Sequence, residues 1–343
     1  MLHFATYFDK NYLSRGLVLY ESLVEHCENF ELYVLCLDAF TFDYFTKNTN
    51  RYPEIKVLTL DEFEKEDGVL KECKSSRSKI EYYFTLSPCL PLYLLKKYKL
   101  PHICSLDADI MFYSNPQPLF EYLNNYSIVI TPHKFSPEIQ SWEEYGNYNV
   151  SFQIFKNDET GISCLEKWRQ QCIEWCYDKL DTLNNRFADQ KYLDEWFKLY
   201  PQKVKSLTDN ISGLAVWNIN KYTLSYKNKT FYSNDERLLF FHFHDFKILG
   251  TDWASNGFHK YKVANHSVLD VLYLQYWRKL ENHNLTFGIG KDRTERTDLS
   301  KPLTVQLQNT IYVYFKVLNI RLIHINYSQL PNVLKKILQK IYG

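Results

Sequence analysis

No stretch of this 343-residue chain strings together eighteen apolar residues, so no transmembrane helix is expected. The opening residues, MLHFATYFDKNYL, lack the basic start and unbroken apolar core of a secretory signal. Those two absences make a cytoplasmic location the expectation. Net charge is only +1, so no global basic field invites nucleic acid, and no nucleic-acid partner is expected. None of the eight cysteines forms a C-x-x-C pair. Cys172 and Cys176 are four apart with no metal-binding neighbours, so free thiols in a reducing compartment are the expectation. No G-x-G-x-x-G follows the first apolar run, which disfavours a nicotinamide enzyme. GIGKDR, 288–293, lacks the length and the Ser/Thr of a phosphate-binding P-loop. No G-x-S-x-G elbow and no H-E-x-x-H appear. Internal repeats and low-complexity linkers are also missing, and N-x-[ST] triplets such as Asn228-Lys229-Thr230 read as chance.

What is present is aromatic. Phe, Tyr and Trp make up 17% of the chain; most are expected in the core, and some could line a sugar or base pocket. The first 135 residues alternate strand and helix signals. LHFATYF (2–8), FELYVLCLD (30–38), EIKVLTL (54–60), HICSLDAD (102–109) and SIVITPHK (127–134) read as strands. Helices are expected over 14–27 and 79–98, the second kinked or broken at Pro88 and Pro91. YNVSFQIFK (148–156) is a further strand, followed by helices over 160–179 and 189–199. Alternation of this kind predicts an α/β fold with a mostly parallel sheet flanked by helices.

Chemistry concentrates at four places. In ICSLDADIMFY, 103–113, Asp107 and Asp109 stand one residue apart at the end of a buried run. Buried carboxylates need a partner. At the carboxyl end of a strand, where open α/β sheets bind ligands, both could reach one divalent cation and, through it, a diphosphate. FFHFHDF, 240–246, places His242 and His244 on one side of a strand, and imidazole suits Mn²⁺ or Zn²⁺. In RFADQKYLDEW, 186–196, Asp189 and Gln190 stand where a loop becomes a helix; the plain role for Asp189 is an N-cap. In NYNVSFQIF, 147–155, Asn149 either bonds a sugar hydroxyl or sits on a wet face.

In this order the motifs resemble the GT-A nucleotide-sugar glycosyltransferases, in particular the glycogenin-like and bacterial lipopolysaccharide galactosyltransferase-like branch. The resemblance covers about residues 1–260 and implies a GT-A, Rossmann-like mixed sheet over 1–260. The remainder, 261–343, is then a partly helical extension for acceptor or membrane-surface contact. FATYFDKNYLSRGLVLYESL (4–23) is similar to the opening strand and helix of that group, which implies Thr6, Tyr7 and Asp9 around the uridine. LDAD implies Asp107 and Asp109 as metal ligands, with Ala108 at the donor. YNVSF implies Asn149 beside the donor sugar. FADQ implies Asp189 and Gln190 near the anomeric carbon as the catalytic pair. HFHDFK implies His242 as third metal ligand, with His244 as its rival. Arg77 and Lys79 rank equally as donor contacts. The departures are specific: Asp245 and Ser151 replace glycines of the pattern, Lys247 comes one residue early, and the usual Pro-Trp is missing.

The implied activity is transfer of a hexose from a UDP-sugar to a hydroxyl of a bacterial-type surface glycan or lipid-linked glycan. It would use Mn²⁺ or Mg²⁺, with retention implied by the branch; under inversion Asp189 becomes the base. The rivals are a sugar-1-phosphate nucleotidyltransferase and a non-catalytic nucleotide- or glycan-binding protein. The terminal PNVLKKILQKIYG, 331–343, is basic and amphipathic. It is expected either to pack on the domain or to lie on the inner membrane face as a peripheral contact.

Overall fold

The computed structural model describes residues 1–250, 253–264, 267–287, 311–313 and 323–325. The expectations for GIGKDR and for 331–343 lie outside the described residues.

Seven strands build the main sheet: β1 (Leu2–Phe8), β2 (Phe30–Cys36), β3 (Ile55–Thr59), β4 (His102–Leu106), β6 (Ile128–Pro132), β7 (Tyr148–Lys156) and β8 (Val204–Ser206). Their order is β3-β2-β1-β4-β7-β6-β8, and only β7 runs against the others. The fold is thus α/β, a mixed and mostly parallel sheet flanked by helices, as the alternation predicted. Both faces are covered, which is why the central strands are mostly apolar. Along β1, Phe4 enters the core under helix Leu13–His26, while the next residue, Ala5, enters the core under helices Lys79–Tyr98 and Glu159–Glu174.

A smaller three-stranded sheet sits beside the carboxyl edge. There β5 (Ile110–Phe112) pairs with β13 (Phe240–His242), which pairs with β9 (Leu214–Ala215). Strands β10 (Leu224–Lys227), β11 (Thr230–Ser233) and β12 (Glu236–Arg237) form a meander. Strands β14 (Lys247–Gly250), β15 (Trp253–Ser255), β16 (Ile311–Val313) and β17 (Ile323–Ile325) make a fourth sheet. Helix Ser267–Phe287 packs Tyr273, Tyr276 and Trp277 into one cluster with Phe241, Phe243 and Phe246. The Phe243 and Tyr276 rings stack at 3.8 Å.

Three local expectations change. Helix Lys79–Tyr98 runs unbroken through Pro88 and Pro91. Pro costs a helix about 3 kcal/mol, but Leu86, Leu90, Leu94 and Leu95 are fully buried against the second core, and each such side chain contributes about 2 kcal/mol. The helix expected to reach residue 179 stops at Glu174. The Arg77 guanidinium caps it there, donating to the carbonyls of Cys172 (3.5 Å) and Ile173 (3.0 Å). The helix expected over 189–199 is a 3₁₀ turn, Gln190–Glu195, followed by the single turn Trp196–Leu199. All eight cysteines are free thiols. Among the described residues no helix is long and apolar enough to cross a membrane.

Candidate active site

Chain direction brings the carboxyl ends of β1, β4 and β6 to one edge, and antiparallel β7 begins there. Asp107 follows β4 directly. Its N–H donates to the Ser151 carbonyl at 2.9 Å, which fixes the turn onto β7. That bond extends the β4–β7 ladder beyond the Leu106–Phe152 pair; on its other side β7 slips register against β6, Ile130 facing Gln153 but Thr131 facing Asn149. The N–H of Phe243 donates to the Asp109 carbonyl at 2.9 Å, tying the end of β13 to the same turn.

The result is a tight cluster. His242 Nε2 lies 3.0 Å from Asp109 Oδ1 and 3.6 Å from Asp107 Oδ2. One donor atom from each of the three residues falls within 4.8 Å of the others. Asp109 and His242 are buried, whereas the Asp107 side chain is 38% exposed and opens the site to solvent. Protein packed around the rest of Asp107 and the neighbouring Asp109 charge push its carboxyl up, against the pull of His242. Burial also works against Asp109, but the His242 imidazole beside it wins and holds its carboxyl low. His242 is raised, because the two carboxylates outweigh its burial. Two carboxylates and one imidazole are the donor set of a divalent cation, and the His242 nitrogen that faces both carboxylates is Nε2. The residues therefore fit Mn²⁺ or Mg²⁺.

Of the two histidines, His242 joins the cluster and His244 does not. They do share a side, as the alternation predicted: both rings meet Trp217 edge-on, each at 5.2 Å between centroids. Burial and the His242 charge lower His244 to about 4.

The remaining expected residues fall into separate groups. Asp9 is buried at the end of β1, and Lys79 Nζ donates to its Oδ2 at 3.0 Å. Arg77, ranked equal to Lys79, instead serves the end of helix Glu159–Glu174 and stacks over Tyr177 at 4.1 Å. Thr6 Oγ1 is buried and unpartnered, and Ala108 is buried between the two carboxylates. Asn149 is buried, not on a wet face. Its Oδ1 accepts from the Ser151 N–H and hydroxyl, while its Nδ2 has no partner. Asp189 does not cap its turn with its side chain. It accepts a 2.6 Å bond from the Ser87 hydroxyl, and Tyr7 OH lies 3.0 Å from Ser87. Gln190 Nε2 donates to the Tyr145 carbonyl at 2.9 Å.

Four residues escaped the sequence reading. Buried Arg15 donates to the Phe246 carbonyl at 2.9 Å, and its charge helps keep Asp109 ionised. Trp217 backs both histidines. Lys260 reaches Asp245 at 2.9 Å, opposite Lys247 at 3.0 Å. Ser87 sits inside a helix with nothing in its own neighbourhood to mark it. Asp245 has φ of 61°, the left-handed conformation that glycine adopts most easily. Burial opposes the Asp245 charge, but His244, Lys260 and Lys247 hold the carboxyl far below the ordinary range.

Fold and site together define an α/β protein with Asp107, Asp109 and His242, a group that could hold a divalent cation, at the carboxyl edge of its sheet. No family model matches the chain. Among curated relatives, the Bacillus subtilis (strain 168) protein YfnD is 29% identical over 278 residues, covering 80% of this chain and 87% of that one. YfnF of the same organism is 28% identical over 255 residues, covering 72% and 82%. Both are described as uncharacterized. Similar solved structures are glycosyltransferases. Streptococcus pneumoniae TIGR4 GlyE has a TM-score of 0.49 at 13% identity, over 86% of this chain and 66% of that one. Galactosyltransferase LgtC has 0.42 at 13%, over 62% and 75%. Mouse xyloside xylosyltransferase 1 has 0.42 at 15%, over 60% and 84%.

Proposed function

We propose that this protein is a divalent-metal-dependent glycosyltransferase that moves a hexose from a UDP-sugar to a hydroxyl of a surface glycan or lipid-linked glycan, with retention. The observation that carries the reading is the convergence of Asp107, Asp109 and His242 from two sheets onto one half-open point at the carboxyl edge. A Mn²⁺ or Mg²⁺ ion held there would supply Lewis-acid stabilisation of the charge gathering on a departing diphosphate.

The chain's own residues do the rest. Thr6, Tyr7 and Asp9 close the end of β1, where the nucleoside is read. Lys79 is the donor-side cation, because its partner Asp9 lies at that edge while Arg77 is committed to a helix terminus. The free Asn149 Nδ2 is a ready donor to a sugar hydroxyl, since a buried unpartnered amide has most to gain from a ligand bond. Asp189 and Gln190 face the reacting end of the donor. Much of the rate then comes from positioning and fixed charge.

The test is hydrolysis of a panel of UDP-, GDP- and dTDP-sugars, with and without Mn²⁺, beside Asp109→Ala. The reading expects slow, metal-dependent release of UDP from one sugar, lost in the variant. No turnover together with no Mn²⁺ binding would overturn it. Mn²⁺-dependent UDP binding with no turnover on any acceptor would make the protein a non-catalytic binder on this fold.

A further inference from the structure

We propose that Ser87 is a positioning residue that orients the Asp189 carboxylate, coupling it to Tyr7 at the nucleotide end of β1. The inference rests on the reading of this edge as a nucleotide-sugar site. A serine inside a helix ordinarily turns its hydroxyl to solvent or to a carbonyl one turn back. Ser87 is buried and does neither: its Oγ donates to Asp189 Oδ2 at 2.6 Å and meets Tyr7 OH at 3.0 Å. A hydroxyl has one proton to give. With that proton on the carboxylate, the Tyr7 phenol must donate to Ser87. The three groups form a directed chain from β1, through helix Lys79–Tyr98, to the turn that starts at Asp189. The Trp168 indole N–H donates to the Asp189 carbonyl at 2.8 Å, so the backbone of that turn is held as well.

The groups facing Asp189 are few. Asp107 comes from the end of β4, the Ser87 hydroxyl from its helix, and Tyr7 from β1. The Cys172 thiol comes from helix Glu159–Glu174, and the Cys176 thiol follows it beside Tyr7. Burial raises Asp189 to about 7, and Asp107 pushes the same way; donation from Ser87 and from the backbone N–H groups of Asp189 and Gln190 opposes them. Removing the hydroxyl therefore raises the pH at which Asp189 ionises, while Asp107 acts equally in every variant.

The experiment compares the full-length protein with Ser87→Ala, Ser87→Thr and Asp189→Asn. It measures kcat and KM for the donor from pH 5.5 to 9 with Mn²⁺, thermal unfolding, and the ¹³C carboxyl titration of Asp189. Ser87→Ala is expected to lower kcat at pH 7 about tenfold with donor KM nearly unchanged. It also moves the acidic limb and the Asp189 titration up by about one pH unit. Ser87→Thr restores both, and Asp189→Asn abolishes the limb. An unshifted Asp189 titration in Ser87→Ala, or a limb that survives in Asp189→Asn, overturns the inference. If the wild type turns over no sugar, the functional reading fails, and the carboxyl titration alone still decides whether Ser87 controls Asp189.

Discussion

Replacing Asp189 by Asn should make the protein more stable at alkaline pH than at acid pH, relative to the parent. The Asp189 carboxyl is raised from the ordinary 3.8 to about 7, chiefly by burial, and the residue is 2% exposed. A raised carboxyl binds its proton more tightly when folded than when unfolded. Its stability is therefore whole below about pH 4, is lost progressively as pH rises toward 7, and stays lost above. The full span corresponds to about 4 kcal/mol, of which about 2–3 kcal/mol falls between pH 5 and pH 8. Asn carries no such charge. Any fixed penalty from its amide is the same at both pH values and cancels in the comparison. The assay is urea unfolding of both proteins at pH 5 and pH 8 in metal-free buffer. The stability of the variant relative to the parent should improve by about 2–3 kcal/mol from the first pH to the second. An improvement no greater at pH 8 than at pH 5 would refute the assignment of a reluctantly ionised Asp189. A cost of this size would be accounted for by the proposed role of Asp189 at the reacting end of a donor.

Three further outcomes follow from other parts of the molecule. A Cβ on Gly16 would overlap the Phe8 ring at the end of β1. Gly16→Ala should therefore destabilise by about 1–3 kcal/mol in urea unfolding, despite the better helix propensity of Ala; a neutral or stabilising result would mean the helix is not seated as described. His102 is lowered to about 4 by burial and by His3, so it adds stability above pH 6.5 that is lost as pH falls toward 4. His102→Phe should flatten that acid limb by on the order of 2 kcal/mol, as followed by thermal unfolding from pH 4 to 7. The Asp245 carboxylate occupies both Lys247 and Lys260, so Asp245→Asn should tighten UDP binding in calorimetry by about threefold to tenfold; weaker binding would show that neither lysine meets the phosphates.

The parts of the fold written in single elements were legible. Period and apolar runs located β1 to β4 and β6, because buried parallel strands leave continuous apolar stretches bounded by polar loops. The Asp107-Ala108-Asp109 triplet was legible because two carboxylates after such a run are costly without a purpose. What escaped depends on contacts between distant segments. Nothing near residue 174 says that Arg77, a hundred positions earlier, will cap that helix. Nothing near Ser87 says that it will face Asp189. The unbroken helix through Pro88 and Pro91 escaped for the same reason: local propensity argues for a break, and tertiary burial outweighs it. The resemblance already favoured His242 over His244, and the register of β13 against β5 supplies the physical reason: it sets His242 opposite Ile110, next to Asp109.

The most direct test of the central claim is calorimetric binding of UDP with and without Mn²⁺, in the parent protein and in Asp109→Asn and His242→Gln. If the cluster is a cation site that receives a nucleoside diphosphate, UDP binds the parent only with Mn²⁺. Each variant then loses at least about tenfold in affinity. UDP binding that ignores Mn²⁺ and both substitutions would show that Asp107, Asp109 and His242 are an ion cluster with structural work alone.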